Sequence, residues 1–129
     1  MTPSVLEVID CAGSGLERGL AHGEQLRHRV RTAITSWSED TLARQPAGTS
    51  IEAYAARFLN RTSMVDTLAS HTPDLLEEVR GIALGSGVPF ELLAAYNLMD
   101  EQWWYDLPHP PEGEPGLSLI HISEPTRPY

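Results

Sequence analysis

The main helical pattern of this chain begins at Gly15-Leu-Glu-Arg-Gly-Leu-Ala-His-Gly-Glu-Gln-Leu26. Its apolar residues and glycines recur at three- and four-residue steps as far as Trp37, which predicts a long amphipathic helix. Gly19 and Gly23 both lie on the apolar side. A glycine inside a helix costs up to about 1 kcal/mol relative to alanine. A pair of glycines on one face therefore indicates that the backbone of another segment approaches closely there.

A short strand is predicted just before this helix. The stretch Val5-Leu-Glu-Val-Ile9 is apolar and β-branched, and Ala12-Gly-Ser-Gly15 follows it with the composition of a turn. A single strand leaves its backbone groups without partners. We therefore expect the sheet to which it belongs to lie mostly in sequence beyond this chain.

Three further helices are predicted. Ser50 is a suitable N-cap for a second helix that continues to Leu68. A third begins at Thr72-Pro73-Asp74, where Thr72 can cap, and it ends at Gly85-Ser-Gly87; Leu75, Leu76, Val79, Ile82 and Ala83 are its predicted buried stripe. The fourth runs from Pro89 to Met99. With a loop over 108–116, the predicted fold class is α+β: one strand and about four helices in an incomplete domain, residues 1–116.

The charge balance limits the partners of this protein. The chain has 9 Lys+Arg and 18 Asp+Glu, a formal net charge of −9. Nucleic acid and anionic membrane surfaces need a basic patch, so neither is an expected partner. No secretory signal and no run of about 20 apolar residues is visible in the sequence. The single cysteine, Cys11, excludes an intrachain disulfide. We expect a cytoplasmic protein.

Residues that often carry chemistry are present, but taken singly they form no recognisable site. His22-Gly23-Glu24 has the spacing found in zinc deaminases, which also need paired cysteines as ligands. His28, His71 and His109 lack metal-ligand spacing. Cys11 is interpreted as a small buried thiol. We therefore expect no metal site, no cofactor and no catalytic residue among them.

The stretch Asn97-Leu-Met-Asp-Glu-Gln-Trp-Trp-Tyr105 is different. It places an amide, two carboxylates and three aromatic rings within nine residues at the end of an apolar helix. Two adjacent tryptophans cannot both face the core of a regular helix. One of them should line a groove or an interface. The alternative interpretation is a helix end with solvated acids and one buried aromatic ring.

Two blocks of the sequence resemble the C45 peptidase group, which includes acyl-coenzyme A:6-aminopenicillanic acid acyltransferase and related amide hydrolases. Gly15–Leu26 is similar to the glycine-and-histidine helix start of that group. The stronger resemblance lies in Thr72-Pro-Asp-Leu-Leu-Glu-Glu-Val-Arg-Gly-Ile-Ala-Leu-Gly-Ser-Gly-Val-Pro-Phe-Glu-Leu-Leu-Ala-Ala-Tyr-Asn97. The order and spacing of Glu-Glu, Gly-Ile-Ala and Gly-Val-Pro-Phe within this block carry the resemblance.

The resemblance implies an N-terminal-nucleophile hydrolase with an αββα core, of which this chain is the N-terminal fragment. Members of the group cut themselves before a cysteine, whose thiol then attacks an amide or thioester carbonyl. No cysteine follows Cys11, so the nucleophile is expected downstream and no family catalytic residue falls on this chain. The expected partners are a small acyl-amide or acyl-thioester substrate and the downstream catalytic chain. The substrate-binding candidates are Asn97, Asp100, Glu101, Trp103 and Trp104.

The final segment Leu117-Ser-Leu-Ile-His-Ile-Ser-Glu-Pro-Thr-Arg-Pro-Tyr129 resembles the in-frame translation of a transposon-end sequencing adapter. We therefore interpret residues 117–129 as a non-native tail and expect the natural protein to continue beyond 116; a genuine polar tail is the alternative. An alternative function also stays open, in which the chain is a complete, small, acidic helical binding module that uses Trp103 and Trp104 as a contact patch.

Overall fold

A computed structural model of the protein describes residues 6–107, and α-helices are the only regular secondary structure within that part. The helices are α1 Gly15–Gln25, α2 Arg27–Leu42, α3 Ile51–Thr62, α4 Met64–His71, α5 Pro73–Ser86, α6 Phe90–Asn97 and α7 Met99–Asp106. The chain divides between Asn97 and Leu98 into two compact units. None of the described helices is long and apolar enough to cross a bilayer.

The predicted α+β fold, with its strand at Val5–Ile9, is wrong for the described residues. Residues 6–10 have no regular secondary structure, and no sheet exists between residues 6 and 107. Leu6 and Val8 are 91% and 90% exposed. The Gln25 side chain holds this stretch by donating to the Asp10 carbonyl at 2.9 Å. A β-branched pattern supplies strand propensity, but a strand also needs a neighbouring strand to pair with.

The predicted helices lie in the right regions, but three of the four are interrupted. Leu26 (φ −112°, ψ 26°) separates α1 from α2, and Ser63 (φ 54°, ψ 27°) separates α3 from α4. The fourth predicted helix ends at Asn97, two residues early, because Leu98 (φ −107°, ψ 36°) is not helical, and α7 follows it. Ser63 takes up the left-handed conformation that closes many helices, although it is not a glycine.

The predicted helix caps have mixed outcomes. The Ser50 hydroxyl accepts a hydrogen bond from the Ala53 amide at 3.1 Å, which confirms that cap. Thr72 does not cap α5, because its hydroxyl donates to the Leu68 carbonyl at 3.3 Å instead. At the other end of α5, Gly87 has φ 75° and closes the helix, as the sequence predicts.

The first unit is organised by direct backbone contact between α1 and α5. A Cβ atom placed on Gly19 would lie under 3.0 Å from the Glu78 carbonyl oxygen, and one placed on Gly81 would lie equally close to the Leu16 carbonyl oxygen. The buried glycines of this contact are Gly15, Gly19 and Gly23 on α1 and Gly81 and Gly85 on α5. The close approach predicted from the α1 glycines is therefore confirmed.

The two helices run parallel to each other. Successive α1 glycines meet successive positions of α5, because Gly15 faces the Asp74 carbonyl and Gly23 faces the Ile82 carbonyl. Arg18 lies at the same edge of the contact. Its Nη2 is 3.3 Å from a Glu78 carboxylate oxygen, and its Nη1 donates to the Gly13 carbonyl at 2.8 Å. The Arg18 and Glu78 side chains are both about one-third exposed, so this ion pair orients the two helices but contributes little to the free energy of unfolding.

The apolar core of the first unit lies around α6. Four successive residues of α6 are buried, namely Leu92, Leu93, Ala94 and Ala95. A helix that is buried on several sides must lie between other helices, and α6 packs on α3, α5 and α2. Tyr54 and Phe58 of α3 are almost fully buried. The ring of Trp37 in α2 meets that of Tyr96 in α6 edge-on, with centroids 6.1 Å apart.

Replacing Gly19 by alanine should lower the free energy of unfolding by about 2 kcal/mol or more, because the new Cβ would overlap the Glu78 carbonyl. At an open helical position the same change stabilises a protein by up to about 1 kcal/mol, so the sign of the effect is diagnostic. Urea denaturation measures it. Gly48→Ala is the control: no atom lies within 4 Å of its added Cβ, and its positive φ should cost only about 1 kcal/mol. A Gly19→Ala protein as stable as the parent would contradict the backbone contact.

The Glu17 carboxyl in the first turn of α1 should make the free energy of unfolding depend on pH in the acid range. The Ser14 backbone N–H donates to the Glu17 carboxylate at 2.9 Å. This hydrogen bond, assisted by the Ser14 side chain, holds the pKa of Glu17 below its ordinary value of 4.5. A depressed folded-state pKa contributes stability that is present above the ordinary value and is lost as the pH falls through the folded-state value.

Glu17→Gln should therefore remove part of the loss of stability that the parent shows below about pH 5. Ser14→Ala keeps the backbone donor, so it should raise the pKa of Glu17 only part of the way towards 4.5. Unfolding free energies measured across the acid range, together with NMR titration of the Glu17 carboxyl, check both effects. Identical acid dependence in the parent and in Glu17→Gln would rule out this contribution.

Candidate functional site

The five substrate-binding candidates are distributed over both compact units. Asn97 is the last residue of α6 and belongs to the first unit, whereas the other four belong to the second. The Asn97 side-chain nitrogen donates to the Leu93 carbonyl at 2.8 Å. This bond anchors the amide to its own helix and leaves its oxygen as an acceptor.

The other four candidates share the short helix α7. Asp100 and Glu101 are exposed in its first turn, where carboxylates interact favourably with the helix dipole. Asp100 lies three and four residues before Trp103 and Trp104, so it is on the same side of the helix as both indoles. The described part of α7 thus joins acidic groups and aromatic rings on one helix face.

Both adjacent tryptophans of α7 are outside the core. Trp103 is 62% exposed and Trp104 is 59% exposed. The alternative interpretation, a helix end with one buried aromatic ring, is therefore wrong, because no aromatic ring of α7 is buried. That one of the two indoles lines a groove or an interface stays a prediction. The buried residue of α7 is Gln102, at 4% exposed, a polar residue that the apolar pattern of the sequence does not mark as buried.

The remaining candidate residues do not converge on a catalytic arrangement within residues 6–107. Cys11 is half-buried in the segment before α1, and His22 is half-buried on α1. His71 Nδ1 lies 3.0 Å from the Thr67 carbonyl, one turn earlier in its own helix. Within the described range, no group of three His, Cys, Asp or Glu side chains could hold a metal ion. His109, the predicted loop 108–116 and the predicted tail 117–129 lie outside the described residues.

One cleft of about 420 Å³ opens where α3 breaks into α4 and α6 begins. Its lining is Ala56, Leu59, Asn60, Ser63, Val65, Asp66, Phe90 and Glu91. Asp66 and Glu91 each occupy the first turn of a helix. The helix dipoles account for both carboxylates, so their presence at this cleft does not by itself indicate a ligand.

A second concave region, the α5–α6 groove, has a volume of about 570 Å³. It is lined by Arg80, Ala83, Leu84, Gly87, Val88, Pro89 and Phe90. The lining is apolar except for the Arg80 guanidinium. None of the five substrate-binding candidates lines this groove or the cleft at the α3–α4 break. The one sequence signal for the groove was Leu84, a leucine outside the predicted buried stripe of α5.

Comparison of the chain with known proteins identified no matching family model, no matching curated protein and no matching solved structure.

The exposure of the α7 indoles should be visible in tryptophan fluorescence. Trp103 and Trp104 are open to solvent, whereas Trp37 is only 7% exposed. Acrylamide should therefore quench most of the emission of the parent and of Trp37→Phe, but little of the emission of a Trp103→Phe/Trp104→Phe protein. Iodide should quench less than acrylamide at low salt, because Asp100 and Glu101 repel an anion. Equal quenching of all three proteins would contradict the described burial.

Proposed function

We propose that this chain is the helical upstream part of a C45-like, autoproteolytic cysteine acyltransferase or amide hydrolase, and that it is inactive by itself. The observation that supports the proposal is the α1–α5 contact. Gly19 and Gly23 come from one resembling block, and Gly81 and Gly85 come from the other. In the structure these glycines pack against each other. The two resembling blocks therefore pack together as one structural unit. This is expected if both derive from one family fold, and it is less expected if the two similarities arose separately by chance.

The proposed chemistry uses a cysteine beyond residue 116. Its thiol attacks the acyl carbonyl of an amide or thioester, and the α-amino group released by self-cleavage acts as the base. This chain would contribute no catalytic residue and no cofactor site. Its proposed role is to shape the pocket and to hold the downstream catalytic chain.

The candidate pocket residues suit an acyl substrate. The exposed indoles of Trp103 and Trp104 offer flat apolar surfaces. Asp100 and Glu101, on the same helix as the two indoles, are proposed to line the same pocket. Asn97 belongs to the first unit and is proposed separately, as a residue whose side-chain oxygen can accept a hydrogen bond from a substrate amide. The proposed substrate is a small acyl-amide or acyl-thioester, the proposed setting is the cytoplasm, and the net charge of −9 disfavours nucleic acid and anionic membranes.

A self-contained binding module is the second candidate, and the exposure of both indoles favours it. Aromatic residues are enriched at protein–protein contacts, and exposed neighbouring rings are unusual on a surface with no partner. The described residues Leu6 and Val8 add further exposed apolar surface. The presence or absence of self-cleavage in an extended protein separates this candidate from the enzyme.

Two expression experiments test the enzyme proposal. The 129-residue chain should show no turnover with a panel of N-acyl amides and acyl thioesters. The reading frame extended downstream in its source DNA should yield a precursor that splits into two chains, as measured by intact mass. Changing the first downstream cysteine to alanine should stop the split and leave the precursor folded, whereas Cys11→Ala should change nothing. A natural stop codon near codon 116, or turnover by the short chain that requires Cys11, would refute the proposal.

The pocket assignment can be tested in the same extended protein. Trp103→Ala and Trp104→Ala should reduce kcat/KM by about ten-fold or more if each ring loses a close substrate contact. Leu75→Ala is a matched control, because Leu75 is also a large exposed apolar residue, at 57%. Equal losses in all three variants would indicate a general structural effect instead of substrate contact.

A further inference from the structure

The α5–α6 groove is an open concavity with the volume of a small-molecule site. Its volume of about 570 Å³ falls within the range of roughly 300–1,000 Å³ that is usual for such sites. Ala83 and Val88 are buried at its base, at 6% and 8% exposed, whereas Leu84 is 68% exposed beside them. A large apolar side chain that stands in water next to an apolar concavity provides surface that a ligand can cover.

One charged group lies in this apolar lining, and two contacts hold it in place. Arg80 Nε donates to a Glu77 carboxylate oxygen at 3.0 Å. The guanidinium carbon also lies 4.3 Å from the centroid of the Phe90 ring, within the range of a cation–π interaction. Because the group is already held, a ligand that binds it loses little additional side-chain freedom.

The guanidinium keeps unused hydrogen-bonding capacity. Among residues 6–107, Nε is the one Arg80 nitrogen that donates to an acceptor, so the Nη N–H groups remain open to a ligand. A planar guanidinium edge matches the two oxygens of a carboxylate, and such charge-assisted pairs are about twice as strong as neutral ones. Arg80 is also 43% exposed at its side chain, so a ligand can reach it.

We propose that the α5–α6 groove binds a small monocarboxylate with an apolar tail. The carboxylate pairs with the Nη edge of Arg80, and the tail lies along Leu84, Val88 and Phe90. Glu77 opposes this binding, because its carboxylate already neutralises much of the Arg80 charge. Recognition therefore depends on the geometry of the donors more than on net charge. The site uses none of the five candidate pocket residues, and its test needs no enzymatic activity.

Three eight-carbon probes separate the contributions of head and tail. The full chain is titrated with octanoate, octanol and octylammonium, and NMR shifts of the Leu84, Gly87 and Val88 amides report on the groove. Octanoate should bind about ten-fold more tightly than octanol, because the alcohol cannot match the charge-assisted pair. Octylammonium should bind no more tightly than octanol, because an ammonium group offers the Arg80 Nη groups no acceptor. Equal affinities for octanoate and octanol, or no shift in the groove at millimolar octanoate, would overturn the proposal.

Variants then locate the interaction. Arg80→Gln should weaken octanoate binding by about ten-fold or more, and Arg80→Lys should also weaken it because lysine lacks the planar edge. Glu77→Gln should strengthen binding several-fold by removing the competing carboxylate. Leu84→Ala should weaken octanoate and octanol alike, since both lose the same apolar contact.

Two matched controls complete the test. Arg57→Gln removes another arginine near an aromatic ring, with its guanidinium carbon 5.8 Å from the Tyr54 centroid. Leu75→Ala removes another exposed leucine from α5. Both should leave octanoate binding unchanged, and unfolding midpoints check that every variant is folded. If Arg57→Gln weakens binding as much as Arg80→Gln, the attraction is general electrostatics and the groove assignment fails.

Discussion

The contact between the α1 and α5 backbones sets the arrangement of the first unit. At Gly19 the Glu78 carbonyl occupies the space that any other residue would fill with its own Cβ. The helices can approach this closely only because glycines recur every four residues on both of them. Each glycine costs conformational entropy on folding. Dispersion contacts between the two closely packed backbones offset that cost.

A parallel helix pair also constrains the chain between its members. Two helices that run the same way cannot be joined by a short turn, so the chain must return over a long connection. Here α2, α3 and α4 make that return. They also supply core residues such as Trp37 and Phe58, which cover α6. The close α1–α5 contact therefore explains why the apolar core forms on the other side of α5, around α6.

The features that the sequence predicts correctly are those with local causes. The α1 glycines indicate a close backbone approach because a missing Cβ has one main structural use inside a helix, and Gly87 predicts the end of α5 for a similar reason. The strand at Val5–Ile9 is wrong because strand formation depends on a partner that propensity does not reveal. The break at Ser63 has no glycine or proline to announce it. Leu75 was assigned to the buried stripe of α5, yet it is 57% exposed.

The candidate site shows the same division. On a helix that packs on one side only, two adjacent tryptophans cannot both face the core, and in the structure both Trp103 and Trp104 are exposed. The groove at Arg80 could not be predicted in this way. It requires Arg80, Glu77 and Phe90 to meet through the turn at Gly87, and the spacing of these residues in the sequence carries no recognisable motif.

The net charge of the chain and the proposed carboxylate site affect anionic ligands over different distances. A charge of −9 repels an extended polyanion, because many phosphates would interact with many surface carboxylates at once. A single carboxylate bound in the α5–α6 groove as proposed would lie in direct contact with Arg80. Charges farther away than the Debye length of about 8 Å at physiological salt are largely screened. Composition therefore disfavours nucleic acid as a partner without arguing against one small anion. At short range the deciding terms are the open Nη donors of Arg80, the competing charge of Glu77 and the apolar surface of Leu84.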